Sequence, residues 1–243
     1  VRLLIDAGNT RIKWRLLSGQ VVMAVGYGDL TDASLFAAIK SGGQAIERVS
    51  VSTVRSDKDR KVLEGQLSGL TDAVVNFYGA EARRGELICA YPDPSKMGAD
   101  RWHGMYGAWN RLHHAFAVVD AGSAITVDYV DDSGLHAGGY ILPGRRLHLQ
   151  SLRQDVARVG FEEPESALSN PGVNTTECVH HGLTWLWGGV VGQVQRDCRD
   201  RAISTVLVTG GDGERFIELG LVAEYRPHLV LEGLDAIDQA SLT

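Results

Sequence analysis

The feature that most constrains this chain is a pattern that occurs twice. The apolar run Leu3-Leu4-Ile5 enters the bend Asp6-Ala7-Gly8-Asn9-Thr10-Arg11, and the chain leaves it through Ile12, Trp14 and Leu16 with period-two alternation. Val118-Val119 enters Asp120-Ala121-Gly122-Ser123 in the same way and leaves through Ile125 and Val127, 114 residues later (120 − 6). Each copy reads as a β-hairpin whose bend carries the polar groups. Asp, Gly and Asn are ordinary turn formers, so one copy alone is compatible with a plain tight turn. Two copies point to two halves with a common chemical task.

A bend of this composition suits nucleotide phosphates. Glycine lets backbone N–H groups approach phosphate oxygens, Asn9 and Thr10 can donate hydrogen bonds, and Lys13 supplies a point charge. Asp6 can hold a hydrated magnesium ion. A third strand, Val206-Leu207-Val208, runs into Gly210-Gly211-Asp212-Gly213 and then a helical stretch, giving a flat surface fit for an adenine and ribose.

Between these stations the pattern alternates strand and helix. Strands are expected at 2–6, 11–17, 20–26, Arg48–Val54 and Ala73–Tyr78. A helix is expected from Leu30 to Lys40, capped by Thr31 or Asp32 and ended by Gly42-Gly43, and another over Ser56–Leu67. Two prolines, Pro92 and Pro94, interrupt a linker that leads through Met97-Gly98 into a helix over Ala99–Leu112, whose Trp102, Met105, Tyr106 and Trp109 read as core. In the second half a strand over Leu135–Leu142 precedes a helix with a packing face of Leu147, Leu149, Leu152 and Val156. A loop follows at Pro164–Pro171, and then a long helix opened by Asn174-Thr175-Thr176-Glu177. Gly182, Gly188, Gly189 and Gly192 on that helix suggest close helix–helix approach, inside the chain or at a dimer seam. The pattern alone predicts an α/β protein with a mixed sheet, dividing into domains 1–114 and 115–243.

The three stations, in this order, resemble the two phosphate motifs and the adenosine motif of the superfamily that holds acetate and sugar kinases, heat-shock chaperone ATPases and actin. Within it the chain resembles the type III pantothenate kinases. The likeness rests on Asp6 to Trp14, Met97-Gly98-Ala99-Asp100-Arg101-Trp102, Asp120 to Thr126, Gly138-Gly139-Tyr140-Ile141-Leu142-Pro143-Gly144, and Asn174-Thr175 with Gly182 behind it. It implies two actin-like, ribonuclease H-like domains related by internal duplication, and phosphorylation of pantothenate to 4′-phosphopantothenate by magnesium-ATP.

By the same resemblance ATP is held by Asp6, Ala7, Gly8, Asn9, Thr10, Arg11, Ile12 and Lys13, with Gly122 and Ser123 from the second bend. Asp100 is the base for the substrate hydroxyl, although an acid in the first turn of a helix also has a purely structural use. Tyr91, Gly98, Ala99, Arg101 and Thr175 are implied as pantothenate contacts, with Thr176 the fallback should the register slip by one. Asp120 is implied as the ligand of a monovalent cation, potassium or ammonium. The family usually has threonine where this chain has Ser123, which keeps the hydroxyl. A homodimer that completes the pantothenate pocket is implied too.

Composition narrows the field. A formal charge of −6 argues against nucleic acid or an anionic membrane as partner. Three cysteines without a CxxC, Cys89, Cys178 and Cys198, argue against a disulfide framework and for a reducing cytoplasm. No apolar run reaches the length of a membrane span, and no signal-type segment opens the chain, so a soluble, unprocessed protein is expected. The adjacent pairs His113-His114 and His180-His181 have the wrong spacing for one ion on a helix face. Two other readings fit the fold: a superfamily kinase for another small hydroxylated substrate, and a non-catalytic regulator of the same architecture.

Overall fold

A computed structural model of the protein describes residues 1–155, 160–162 and 170–241. The chain forms two compact units. One comprises Val1–His113, Ser133–His136 and His228–Thr243, the other His114–Asp132 and Ala137–Pro227.

In the first unit the strands are β1 (Arg2–Ala7), β2 (Ile12–Ser18), β3 (Val21–Gly28), β4 (Arg48–Thr53) and β5 (Val75–Tyr78), with helices α1 (Ala37–Gly42) and α2 (Asp57–Ser68). A two-strand ribbon follows, β6 (Arg83–Arg84) with β7 (Leu87–Ile88), then helix α3 (Ala99–Leu112). The second unit contributes β8 (Phe116–Ala121), β9 (Ala124–Val130), β10 (His136–Pro143), α4 (Arg145–Asp155), α5 (Thr175–Asp200), β11 (Thr205–Thr209), α6 (Gly213–Glu218) and β12 (Glu224–Tyr225). The last helix, α7 (Leu229–Ala240), belongs to the first unit.

The two five-stranded sheets repeat one topology, β3-β2-β1-β4-β5 and β10-β9-β8-β11-β12. The central strands β1 and β8 each pair antiparallel with the strand that follows in sequence and parallel with a later one, β4 or β11. These are the mixed sheets flanked by helices, in duplicate, that the sequence predicts.

Alternation along β1 splits its side chains between two layers. Leu3, Ile5 and Ala7 join Ile12, Trp14, Val49, Val51, Leu63 and Leu67 in a core closed by α1 and α2. Leu4 faces the other way and packs with Leu17 against Leu231 and Leu234 of α7. In the second unit Val119, Ala121, Ile125, Val127 and Tyr129 pack on Trp187, Val191 and Val194 of α5 and on Phe216. Trp102, Met105 and Trp109 are buried, as their helical spacing predicts, whereas Tyr106, expected in the same core, is only half-buried.

α7 is fastened in two ways. Backbone meets backbone where α3 crosses it: a Cβ on Gly107 would lie 2.7 Å from Leu229 O, and one on Gly233 would overlap His103 O. Beneath α7, the fully buried Asp238 carboxylate takes Arg48 Nε at 2.5 Å, Ser50 Oγ at 2.6 Å, Tyr78 Oη at 3.0 Å and Arg2 Nη1 at 3.1 Å. Burial raises the pKa of that carboxyl, but the hydrogen bonds from Ser50, Arg48, Arg2 and Tyr78 outweigh it and hold the group below the ordinary aspartate value. His103, fully buried with Nδ1 2.7 Å from Ser52 Oγ, is pushed by burial, and less by Arg84, down to about 3, so its ring is neutral at physiological pH.

Three local expectations need correction. The helix expected over Leu30–Lys40 is confined to α1. Asp29 and Asp32 each accept the backbone N–H two residues on, from Thr31 at 3.0 Å and Ser34 at 2.8 Å, and these turns compete with helical pairing. Neither Thr31 nor Asp32 caps the helix, but Gly43 ends it at φ 63°. Of the two uses expected for the α5 glycines, close packing inside the chain finds no support at Gly182, Gly188 or Gly189, where a Cβ would meet nothing within 4 Å among the described residues. Val156 and residues 164–169 of the expected loop lie outside the described residues.

Two stability predictions follow from the seat of α7. Gly233→Ala must push two helix backbones apart and is expected to cost about 1–3 kcal/mol, read as a lower urea midpoint. A midpoint equal to the parent's would refute the close crossing. Because the folded pKa of Asp238 lies below its unfolded value, its contribution is present at neutral pH. It is lost as pH falls through the unfolded value, about 3.9, towards the folded one. Asp238→Asn should therefore lower stability at pH 7 by about 3–5 kcal/mol and flatten its fall between about pH 5 and pH 3. An unchanged acid limb in urea titrations would contradict this.

Candidate active site

In the first unit the polar bend closes β1 onto β2. Asp6 pairs with Lys13 and Ala7 with Ile12, so Gly8-Asn9-Thr10-Arg11 forms the connection. Asp6 and Lys13 are half-buried neighbours on the sheet face opposite the α1–α2 core, whereas Asn9 and Arg11 are exposed. The Ala7 and Ile12 side chains are fully buried, so only their backbone can meet a ligand. The Arg11 guanidinium lies 5.7 Å from the Tyr27 ring centroid. Arg55, which the sequence did not single out, donates from Nε to Gly8 O at 2.7 Å.

The start of α3 lies in the same unit. Gly98 is the N-cap, and Asp100 curls back so that Oδ1 accepts the Arg101 N–H at 2.7 Å. A Cβ on Gly98 would come within 2.6 Å of that oxygen, so this carboxylate position requires glycine there. Ala99 is buried at the first helical residue. Arg101 is 7% exposed, and its Nη1 donates to Tyr91 Oη at 2.9 Å. Tyr91 in turn stacks on the buried His136 ring, centroids 6.4 Å apart. Tyr91 is thus hydrogen-bonded to the guanidinium of Arg101, both residues being ones that the resemblance implies as pantothenate contacts.

In the second unit, Asp120 pairs with Thr126 and Ala121 with Ile125, leaving Gly122 and Ser123 as the bend, with Gly122 N donating to Ala124 O at 2.9 Å. Two distant glycines press on it. Gly144 N donates to Ser123 O at 3.0 Å, and a Cβ there would overlap Gly122 O. Gly210, at φ 90°, lies against Ala121 O and Asp120 Oδ1, and Asp212 N donates to Ala121 O at 2.9 Å. The third station is therefore docked backbone-first on the second bend. Burial raises the pKa of the Asp212 carboxyl, opposed by Arg215 and Arg145.

Thr175 opens α5, where Asn174 Oδ1 accepts the Glu177 N–H at 2.9 Å and the Glu177 carboxylate accepts from Asn174 Nδ2 and Val173 N. It lines a cavity of about 730 Å³ walled by Leu149, Leu152, Val179, Leu183 and Leu186. The Thr176 hydroxyl is engaged elsewhere, accepting the Glu162 N–H at 3.3 Å. His180 and His181 each meet a backbone carbonyl, Glu162 O at 2.9 Å and Asn170 O at 2.8 Å. Among the described residues no helix is long and apolar enough to cross a membrane.

Comparison with known proteins gives the same reading. The type III pantothenate kinase family model matches residues 2–197. A type III pantothenate kinase of Marinobacter nauticus is 45% identical over 240 residues, covering 99% of each chain, and one of Cellvibrio japonicus is 32% identical, covering 96% of this chain and 95% of its own. Among solved structures, component A of (R)-2-hydroxyglutaryl-CoA dehydratase from Acidaminococcus fermentans matches 99% of this chain and 98% of its own with a TM-score of 0.54 at 16% identity. A Campylobacter jejuni protein described provisionally as a Baf family transcriptional activator covers 99% and 98% with a TM-score of 0.62 at 22% identity. At such identities the two structures establish the fold alone. With the family model spanning most of its length and relatives aligned nearly end to end, the chain belongs to the type III pantothenate kinase family, whose reaction is the ATP-dependent phosphorylation of pantothenate in coenzyme A synthesis.

Proposed function

We propose that Asp100 is the base of this reaction and Arg101 the clamp for the pantothenate carboxylate. The observation that carries this is the paired geometry at the start of α3. One carboxylate oxygen is oriented by the Arg101 N–H, and a buried guanidinium is held on Tyr91. As the pantothenate hydroxyl oxygen bonds to the γ-phosphorus of ATP, the bond from that phosphorus to the β,γ-bridging oxygen breaks, ADP leaves, and the hydroxyl proton passes to Asp100. Phosphoryl transfer rests mainly on positioning and charge neutralisation, and a carboxylate base adds about 10²–10⁴-fold. Arg101 suits the substrate carboxylate because its planar fork can make two parallel bonds.

Gly8, Asn9, Thr10 and Lys13 are the phosphate-binding groups of the first bend, with the backbone of Ala7, Arg11 and Ile12 shaping it. Gly122 and Ser123 are those of the second. Tyr91, Gly98, Ala99 and Thr175 complete the pantothenate contacts. Asp6 is a carboxylate suited to a magnesium ion held through water, and Asp120, half-buried at the second bend beside Gly210, is the carboxylate for potassium or ammonium. Such ions, when bound, neutralise phosphate charge. The apolar groups that α5 and its approach present outward support a homodimer, and kinship with biosynthetic kinases of bacteria supports a cytoplasmic site of action. Trp185 is 73% exposed and Val173 90%, and a Cβ on Gly182, Gly188 or Gly189 would meet nothing within 4 Å among the described residues.

Mass spectrometry of the protein incubated with pantothenate and magnesium-ATP should detect 4′-phosphopantothenate in potassium or ammonium salts. Equal rates in sodium alone would remove the cation role of Asp120. Asp100→Asn should keep ATP affinity in calorimetry while kcat falls by about 10²–10⁴-fold. Turnover near the parent's would take Asp100 out of the reaction.

A further inference from the structure

The end of β4 touches both parts of the first unit's site. Register pairs Asp6 with Ser52 and Ala7 with Thr53, so β4 ends beside the phosphate bend. The Thr53 hydroxyl donates to Ala7 O at 3.3 Å and accepts the Arg55 N–H at 3.1 Å, a turn that brings the Arg55 side chain back over the bend. There Arg55 Nε donates to Gly8 O at 2.7 Å. On the other side, a Cβ on Gly98 would meet Val54 Cγ1 at 3.6 Å and Asp100 Oδ1 at 2.6 Å. The residue preceding Arg55 therefore abuts the segment that carries Asp100.

The anchored Nε fixes the guanidinium plane, while the two terminal nitrogens make no hydrogen bond or ion pair among the described residues. The exposed Asp29 senses the Arg55 charge, but its lowered pKa owes more to hydrogen bonds from Thr31. A half-buried planar cation tethered to the polar bend, on a strand end whose Val54 abuts the segment carrying Asp100, has the form of a site for a tetrahedral oxyanion.

We infer that Arg55 is a further catalytic residue of the kinase reaction, its terminal nitrogens binding the γ-phosphoryl group of ATP as that group leaves ADP for the substrate hydroxyl. The inference rests on the assignment of the first bend to phosphates. Arg55 takes no proton and no covalent bond; it neutralises charge on the equatorial oxygens while the phosphorus–oxygen bond to ADP breaks and that to substrate forms.

The test compares parent protein, Arg55→Ala and Arg55→Lys by turnover, by calorimetry with ATP and ADP separately, and by thermal melting. Arg55→Ala is expected to lower kcat about 10²–10³-fold. It should also abolish the preference for ATP over ADP, with ADP affinity held within about threefold, and added guanidinium should restore part of the turnover. Arg55→Lys, which keeps a charge but not the fork, should fall between. An unchanged ATP-to-ADP affinity ratio, or equal losses of both affinities in step with melting temperature, would overturn the inference and leave Arg55 a brace for the bend. Should the parent itself make no 4′-phosphopantothenate, the roles under Proposed function fail, whereas the affinity ratio still decides on Arg55.

Discussion

Everything at the candidate site depends on how one strand is paired on its two sides. β1 and β8 each run antiparallel to the next strand and parallel to a later one. The hairpin bend and the carboxyl end of the parallel neighbour must then emerge at the same edge of the sheet. That is where open α/β sheets bind ligands, because strand ends release backbone groups that the ladder no longer uses. In the first unit the neighbour's end delivers Thr53 and Arg55 to the bend; in the second it delivers Gly210. The two halves solve the same geometric problem with different chemistry, side-chain donors in one and bare backbone in the other.

Backbone contact also explains where side chains had to be given up. Gly144 and Gly210 grip the second bend, and Gly107 and Gly233 let α3 and α7 cross. Interiors are close-packed, so a single added methyl at such a place displaces whole elements. At Gly98 the saving is smaller and more local, the width of one carboxylate oxygen.

The hairpins, their polar bends, the glycine-ended third strand and the buried face of α3 were legible in the sequence because short-range periodicity and turn chemistry encode them. So was the Asn174–Glu177 cap, a contact three residues long. What could not be read had partners fixed by long-range register. Arg55 reaches Gly8 across 47 residues, and in sequence it is one basic residue after a strand. Leu30–Lys40 has helical composition, yet Asp29 and Asp32 draw backbone donors into turns instead. The glycines of α5 were compatible with packing inside the chain or at a dimer seam, and only the fold shows that Gly182, Gly188 and Gly189 have no close neighbour among the described residues.

The return of α7 to the first sheet ties the order of synthesis to the order of folding. A chain emerging from the ribosome usually completes its first domain before the next is made. Here Leu4 and Leu17 wait for Leu231 and Leu234, and Arg2 and Arg48 wait for Asp238, until the whole second unit has been translated. The second unit, whose described core draws on no residue after Tyr225, faces no such delay. The half made last is thus free to mature first, and the nascent first sheet needs its apolar underside sheltered in the meantime.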